Sequence, residues 1–230
     1  MSFLFFLLIP FAAFVVLMLI LAYRTLFPKV ISHPWPKPSK KIDKTIILAG
    51  SYNPPHNGHF EMLRYLSERY TKVIAVVGMN PDKKYDVTPE QRVKMIDKWA
   101  APINKKTGGN IQGKAVSGYI YRYGKSKEVN AKLFFRGIRT WEKDGKDERY
   151  LHYLNNFTPV FADHYMPIPT VFIEGDPRYN SISSTVVRNL CNSMKGQKDG
   201  GKDGNDAAEL SKLVPDIIRA DVVEAYASQK

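Results

Sequence analysis

Residues 44–66 have the sequence KTIILAGSYNPPHNGHFEMLRYL, and this stretch decides the fold. It opens with six mostly apolar residues, which predict a short buried strand ending at Gly50. A loop rich in proline, asparagine and glycine follows, and apolar residues then recur at helical spacing at Met62, Leu63, Leu66 and Tyr70. The order strand, loop, helix predicts the first unit of a parallel α/β sheet.

The same alternation continues along the chain. Residues 72–78 (KVIAVVG) predict a second buried strand. Thr88 is predicted as the N-cap of a second helix, because Pro89 suits the first helical position and Gln91 completes a capping box. Further strands are expected at residues 131–135 and 170–173, and further helices near residues 147–155 and 183–194. Together these elements predict an α/β protein with a Rossmann-like doubly wound parallel sheet and helices on both faces.

Two polar stretches contain too few apolar residues to contribute to a core. They are residues 104–113 (NKKTGGNIQG) and residues 195–206 (KGQKDGGKDGND). Their Gly, Lys and Asp content predicts surface loops without chemistry.

An apolar segment precedes the predicted sheet. Residues 3–22 (FLFFLLIPFAAFVVLMLILA) hold 20 residues without a charge, which as a helix match the ~30 Å hydrocarbon core of a bilayer. A cleaved signal peptide is the alternative. It is less favoured because no basic region precedes the segment, and because signal peptides usually have only about 7 to 15 apolar residues. Residues 1–23 are therefore expected to form one transmembrane anchor.

Basic residues follow the apolar segment, whereas the residues before it carry no charged side chain. Up to residue 44, six basic residues stand against Asp43 alone: Arg24, Lys29, Lys37, Lys40, Lys41 and Lys44. This bias predicts a single-pass membrane protein whose domain, residues 44–230, faces the cytosol. Residues 24–43 are expected to form an extended basic, proline-rich spacer beside the headgroups, without packing on the domain.

The charge and cysteine content narrow the class of partner. The formal net charge is +12, with 34 Lys plus Arg against 22 Asp plus Glu, which suits anionic partners such as nucleotides or acidic headgroups. Cys191 is the single cysteine, so no internal disulfide can form.

The segment from Gly50 to His59 is predicted to lie at the carboxyl edge of the sheet, where open α/β sheets bind ligands. His59 is expected at the start of a helix and His56 just before it, where backbone N–H groups favour anions. Gly58 would let the backbone approach phosphates. The two histidines could instead ligate a metal, but no Cys, Asp or Glu nearby completes a structural set, so no metal site is expected.

These residues resemble a known family. Residues 50–59 are similar to the HxGH signature of the nucleotidyltransferase superfamily, and residues 182–188 (ISSTVVR) are similar to its second signature, ISSTxxR. Between them, residues 80–84 and 136–139 (RGIR) resemble the phosphopantetheine adenylyltransferases. The resemblance implies adenylyl transfer from ATP to 4′-phosphopantetheine, giving dephospho-CoA and pyrophosphate in coenzyme A biosynthesis, with Mg²⁺ accompanying ATP.

The resemblance also implies roles for individual residues. The implied catalytic residues are His59, His56, Lys83 and Ser51. The acceptor is implied to contact Ser51, Lys83 and Arg136. ATP is implied to contact Gly50, Ser51, Tyr52, His56, Gly58, His59, Gly137, Ile138, Arg139, Glu148, Tyr179, Ser183, Ser184, Thr185 and Arg188.

Three alternatives remain open at this point. The first is a nicotinamide mononucleotide adenylyltransferase. The chain has His56 and Asn53 where bacterial phosphopantetheine adenylyltransferases usually have Thr and Asp, and the histidine also occurs in nicotinamide mononucleotide adenylyltransferases. A cytidylyltransferase making activated lipid precursors would suit a membrane, although its second signature normally differs. The third alternative is a catalytically dead, membrane-tethered protein that binds nucleotide. No nucleic-acid partner is expected, and a homo-oligomer is compatible with the sequence.

Overall fold

The structure, a computed structural model, describes residues 3–38, 40–79, 85, 87–196 and 203–227. Within these residues one sheet contains the strands β1 Lys29–Ile31, β2 Ile42–Gly50, β3 Tyr70–Gly78, β4 Ile111–Val116, β5 Leu133–Ile138 and β6 Thr170–Glu174. All neighbouring strands are parallel, in the order β1-β6-β5-β2-β3-β4. The helices are α1 Phe3–Leu26, α2 Asn57–Arg69, α3 Pro89–Thr107, α4 Ile120–Lys125, α5 Trp141–Asp163, α6 Ser184–Gly196, α7 Asp203–Leu213 and α8 Asp216–Ala227.

Apolar clusters cover both faces of the sheet. Alternate residues of β2 belong to different clusters, with Ile46 and Leu48 in one and Ile47 in the other. The first cluster also takes in side chains of α2, α3, α6 and α8, whereas the second includes Tyr121 of α4. The doubly wound, Rossmann-like architecture predicted from the sequence is therefore confirmed.

The strand order places the direction change at β2. From β2 the chain adds β3 and β4 on one side and then returns to add β5 and β6 on the other. In open α/β sheets, ligands bind beyond the carboxyl ends of the strands at this switch point. Here the carboxyl end of β2 is Gly50, the first residue of the predicted phosphate-binding loop.

The best-patterned elements form where they are predicted. Helix α3 begins after Thr88, whose hydroxyl accepts from the Gln91 N–H, and the Gln91 side chain in turn accepts from the Thr88 N–H. Strands β2, β3, β5 and β6 and helices α2, α5 and α6 overlap the expected ranges. Tyr70 is an exception, because it begins β3 instead of continuing α2.

The prediction of surface loops was wrong for most of residues 104–113. Residues 104–107 end α3, and Ile111 begins β4, an edge strand that pairs with β3 alone. The Asn104 amide clamps the turn, since it donates to the Ile111 carbonyl at 2.8 Å and accepts from the Ile111 N–H at 2.9 Å. Of residues 195–206, the last four begin α7, two end α6, and residues 197–202 lie outside the described part of the chain.

The prediction of an unpacked spacer over residues 24–43 was also wrong. Its Lys29–Ile31 segment forms β1 and pairs with Val171–Ile173 of β6. The Trp35 Nε1–H donates to the Glu174 carbonyl at 2.8 Å, and the Trp35 ring packs on Tyr65 with centroids 4.9 Å apart. The segment packs because a large aromatic ring with a buried partner and a satisfied N–H stabilises the contact more than an unattached spacer would.

The last turns of α1 pack on the domain as well. Leu21 is fully buried. The Asn156 amide of α5 donates to the Thr25 hydroxyl at 2.9 Å, and His152 Nε2 lies 2.8 Å from the Arg24 carbonyl. Residues 9–16 of α1 are exposed, so among the residues whose burial is described the helix contacts the domain at its C-terminal end.

Candidate active site

Two histidines stand at the N-terminus of α2, directly after the loop that leaves β2. His56 is the N-cap residue, and its extended backbone turns the chain into the helix. The His56 N–H donates to His59 Nδ1 at 3.3 Å, and the two rings lie 3.8 Å apart between centroids. The helix start thus fixes both imidazoles side by side at the edge of the sheet.

This arrangement sets the protonation state of His59. Because Nδ1 accepts a hydrogen bond from the His56 N–H, the proton of the neutral ring is carried by Nε2, which is left as a donor. Burial lowers the pKa of His59 well below its ordinary value, and the neighbouring His56 lowers that pKa further. Burial also lowers the pKa of His56, to about 4. Near neutral pH both rings are uncharged, so His59 offers a hydrogen bond without a positive charge.

Gly58, Gly50 and Tyr52 determine how closely the backbone and side chains pack in the loop between β2 and α2. A Cβ on Gly58 would lie 3.3 Å from two atoms of the His56 ring, so a side chain there would press on the imidazole. Tyr52 has a φ of 47° and folds its ring back over Gly50, where an added Cβ would lie 3.1 Å from the tyrosine ring. The Tyr52 hydroxyl donates to the Leu48 carbonyl at 2.9 Å.

The second signature lies against the first. Ser183 caps α6, since its hydroxyl accepts from the Val186 N–H at 3.2 Å. The Ser184 hydroxyl donates to the Pro54 carbonyl at 2.9 Å. Arg188 donates to the Asn53 carbonyl, and its other terminal nitrogen donates to Thr185 Oγ1 at 3.0 Å. Two segments about 130 residues apart therefore meet through direct bonds, at the N-termini of α2 and α6.

The RGIR stretch supplies the opposite wall of the crevice. Arg136 pairs with Ala49 across the β2–β5 register, one residue before the carboxyl end of β2. Its Nε donates to Glu148 of α5 at 2.9 Å. A Cβ on Gly137 would come within 2.8 Å of Met62, so this glycine admits a close approach of β5 and α2.

The other predicted ligand residues are placed as follows. Ile138 ends β5 and is buried, and the next residue, Arg139, is exposed and forms an ion pair with Asp144 at the start of α5. Tyr179 lines, beside the second signature, a cavity of about 360 Å³. Lys83 lies outside the described residues.

Sequence reasoning missed two residues that hold the loop in place. Arg92 is fully buried on α3, and its Nη1 donates to the Ser51 carbonyl at 2.6 Å. Tyr226 of α8 donates to the Asn53 side-chain oxygen at 2.6 Å. Residues at helical spacing could have indicated each one, because both residues lie on the buried face of their helix. The neighbours on these stripes are Met95, Ile96 and Trp99 for Arg92, and Ile218 and Val222 for Tyr226.

The site as a whole is suited to an anion. Two helix N-termini, a neutral N–H donor on His59 and the guanidinium groups of Arg136 and Arg188 surround the carboxyl end of β2. Helix N-termini bind phosphates through their free N–H groups, and guanidinium forks match phosphate oxygens. The geometry can hold a polyphosphate and stabilise charge that develops on it.

The low pKa of His56 predicts an acid-sensitive stability. In the unfolded chain His56 binds a proton near its ordinary pKa of about 6.5, whereas in the folded protein it does so only near 4. The contribution of neutral His56 to the free energy of unfolding is therefore complete above about pH 6.5 and declines as pH falls. Between about pH 7.5 and pH 5 the free energy of unfolding should fall by about 2 kcal/mol from this residue. Urea unfolding of the wild type and of His56→Gln at both pH values checks this, and equal losses in the two proteins would contradict it.

A family model and curated relatives match this chain. Residues 47–190 match the cytidylyltransferase-like family. The phosphopantetheine adenylyltransferase of Parvibaculum lavamentivorans is 29% identical over 181 residues, which cover 79% of this chain and 94% of that protein. That of Chromobacterium violaceum is 30% identical over 147 residues, covering 64% of this chain and 82% of that protein. Among solved structures, Plasmodium falciparum nicotinic acid mononucleotide adenylyltransferase complexed with APC has a TM-score of 0.48 at 15% identity, over 79% and 95% of the two chains.

Proposed function

Since the chain belongs to the cytidylyltransferase-like family and, within it, to the phosphopantetheine adenylyltransferases, we propose that it transfers the adenylyl group of ATP to 4′-phosphopantetheine. The products are dephospho-CoA and pyrophosphate. The observation that carries the proposal is the junction of the two signatures, where Ser184 and Arg188 of α6 bond to the carbonyls of Pro54 and Asn53. This junction brings the histidines and the phosphate-binding helix start into one crevice.

In the proposed mechanism the acceptor phosphate attacks the α-phosphorus of ATP in line, and pyrophosphate leaves without a covalent enzyme intermediate. The enzyme contributes positioning and charge stabilisation. The His59 Nε2–H donates to the α-phosphate as its charge rises, with His56 beside it. Ser51, Lys83 and Arg136 hold the acceptor.

The residues proposed to hold ATP surround the same crevice. Its α-phosphate lies over the β2 loop and the start of α2, and the leaving pyrophosphate lies at the start of α6. The contacts proposed for ATP are Gly50, Ser51, Tyr52, His56, Gly58, His59, Gly137, Ile138, Arg139, Glu148, Tyr179, Ser183, Ser184, Thr185 and Arg188.

Mg²⁺ fits this site as a companion of ATP. Within the described residues no group of three or more His, Cys, Asp or Glu side chains could hold a metal ion. Mg²⁺ in nucleotide sites is bound largely by phosphate oxygens and water, so the phosphates supply what the chain does not. The ion would neutralise charge on the leaving pyrophosphate, while Arg188 positions that group.

Turnover of the full chain in detergent with ATP and a panel of acceptors tests the proposal. We expect phosphopantetheine to give the highest kcat/KM, ahead of nicotinamide mononucleotide and, with CTP, phosphocholine. Pyrophosphate release is the measurement. A higher kcat/KM for nicotinamide mononucleotide would show that the acceptor is wrong while adenylyl transfer stands. If no acceptor gives pyrophosphate release, the result would favour the inactive nucleotide-binding protein.

We propose further that α1 crosses a membrane and leaves the domain in the cytosol. Its window from Ile9 to Leu26 has a mean hydropathy of 2.1 and is only 6% buried. Exposed apolar side chains along it include Ile9, Phe11, Val16 and Leu19. The basic residues after Leu21 favour the cytosolic side. In sealed vesicles with the cytosolic face outward, added protease should remove a tag at residue 230 and spare a tag at residue 1, and the reverse would overturn the orientation.

The end point of an N-terminal deletion should determine whether the domain keeps its stability without the anchor. Deleting residues 1–20 keeps the docked turn at Leu21 and Thr25, whereas deleting residues 1–40 also removes β1 and Trp35. Both proteins should become extractable from membranes by alkaline carbonate. Only the longer deletion should lower the free energy of unfolding, by roughly 2–4 kcal/mol, the scale for losing a large packed side chain. Urea unfolding of the two proteins measures the difference, and equal stability would show that β1 contributes nothing.

A further inference from the structure

Helix α5 buries polar and small residues and exposes large apolar ones, the reverse of what is usual for a helix on a soluble domain. Its buried residues are small or polar, namely Gly145, His152, Asn156 and Pro159. Its exposed residues include large apolar ones, namely Tyr150, Leu151, Tyr153 and Phe161. Tyr150 is 67% exposed and Phe161 59%. Surface helices normally turn such residues to the core, and contiguous exposed apolar patches mark interaction sites.

Exposed rings of α5 and the half-buried Phe157 form one continuous ladder. The rings of Tyr153 and Phe157 lie 4.7 Å apart between centroids, and those of Phe157 and Phe161 are stacked at 6.4 Å. Tyr150 precedes Tyr153 by three positions and so extends the same face. Beyond the helix, Tyr165 and Met166 are also exposed. The outer face of α5 is thus an aromatic surface several turns long.

The contact with α1 fixes the level of this surface relative to a bilayer. Residues 3–20 of α1 alone span about 27 Å at helical rise, close to the ~30 Å hydrocarbon core. The charged Arg24 then lies at the headgroup level, and this is the turn that is bonded to α5 through His152 and Asn156. The middle of α5 is therefore held at the membrane boundary.

The charges of α5 agree with that position. Residues 149–162 contain no Asp or Glu and begin with the exposed Arg149. The carboxylates that flank this stretch are both paired, Glu148 with Arg136 and Asp163 with Arg122. A stretch of helix without acidic side chains, carrying tyrosines on its apolar face, suits an anionic lipid surface, where tyrosine is enriched at the boundary between water and hydrocarbon.

We propose that the outer face of α5 lies in the headgroup region of the bilayer, with Tyr150, Tyr153, Phe157 and Phe161 inserted among the lipids. The inference rests on the anchor proposed above for α1. It makes α5 a second membrane contact, which together with the docked end of α1 holds the domain in one orientation.

Spin labels on the full chain, reconstituted in vesicles of phosphatidylcholine with a minority of phosphatidylserine, test this proposal. The labelled variants are Phe161→Cys and Tyr150→Cys on the ladder, Phe14→Cys in α1, and Lys94→Cys on the exposed side of α3 as the aqueous control. Cys191 stays unlabelled because it is buried, and burial raises the pKa of its thiol to about 11. The measurement compares collision of each label with oxygen, which enters lipid, and with a water-soluble nickel chelate.

We expect the Phe161 and Tyr150 labels to favour oxygen several-fold more than the Lys94 label does. Ladder labels that behave like Lys94 overturn the proposal, and the Phe14 label then shows whether the anchor fails with it or stands alone. Ladder labels that broaden one another between molecules, and lose this broadening when unlabelled protein is added, would show that a second copy covers the face, which also overturns it. Adenylyl transfer by the same samples is measured separately, so its loss would be distinguishable.

Discussion

His59→Ala should lower kcat by roughly 10² to 10³, the range seen when one preorganised transition-state donor is removed. The neutral ring of His59 is fixed by the His56 N–H at Nδ1, so its Nε2–H donates without any rearrangement when charge develops on the α-phosphate. ATP affinity should change much less, because this bond is strongest in the transition state. Pyrophosphate release gives kcat, and equilibrium dialysis of ATP gives the affinity.

Two further variants sharpen this result. His59→Gln places an amide donor near the position of Nε2 and should recover part of the lost rate, whereas a purely structural role would not select for that donor. His164→Asn changes an exposed histidine that caps the C-terminus of α5 in the left-handed conformation, which asparagine also adopts, and should leave kcat unchanged. Unimpaired turnover by His59→Ala would remove His59 from the mechanism.

Arg92→Met should destabilise the protein by roughly 2–4 kcal/mol, because hydrogen bonds from a charged donor are worth about 1.5–3 kcal/mol and buried acceptors are left unmatched. The fully buried guanidinium donates to the Ser51 carbonyl at 2.6 Å and to the Thr88 carbonyl at 3.3 Å, and it lies 4.6 Å from the centre of the Tyr85 ring. Methionine keeps much of the volume but none of the donors.

The same variant should lower kcat/KM by an order of magnitude or more, since the loop between Gly50 and His56 loses its support from α3. Arg64→Met is the matched control, because Arg64 is exposed and pairs with Glu61 one turn away, so its loss should cost less than about 1 kcal/mol. Urea unfolding and steady-state kinetics of both variants decide the question. Equal effects of the two substitutions would show that burial of Arg92 does not matter.

The sequence predicts those parts of the fold whose residues carry strong local patterns. Buried runs such as residues 72–78 become central strands, and the capping box at Thr88 begins α3. Strand β4 was missed because an edge strand is half exposed and needs few apolar residues. Helix α5 was expected to end near residue 155 but continues to Asp163 through Pro159.

In the candidate active site, too, the sequence predicts the parts that carry a local pattern and misses the others. Two signatures in the correct order predict that His56, His59, Ser184 and Arg188 converge, and the structure brings their loops and helix starts together. Contacts between a side chain and a distant backbone carbonyl have no local pattern. For that reason the sequence did not predict the bond from Arg92 to the Ser51 carbonyl or the contact of His152 with the Arg24 carbonyl, which docks α1 on α5.

The two edges of the sheet differ in how they avoid aggregation. Strand β4 protects one edge by its own composition, because Gln112 and the exposed Lys114 discourage another strand from pairing there. Strand β6 (TVFIE) is almost wholly buried and carries no such residue before its last position, so an open edge would expose an apolar template to other chains. Strand β1 covers that edge and is itself a poor template, because it is only three residues long and carries the exposed Lys29. The segment that links α1 to the domain thus also limits the pairing of sheets between neighbouring molecules.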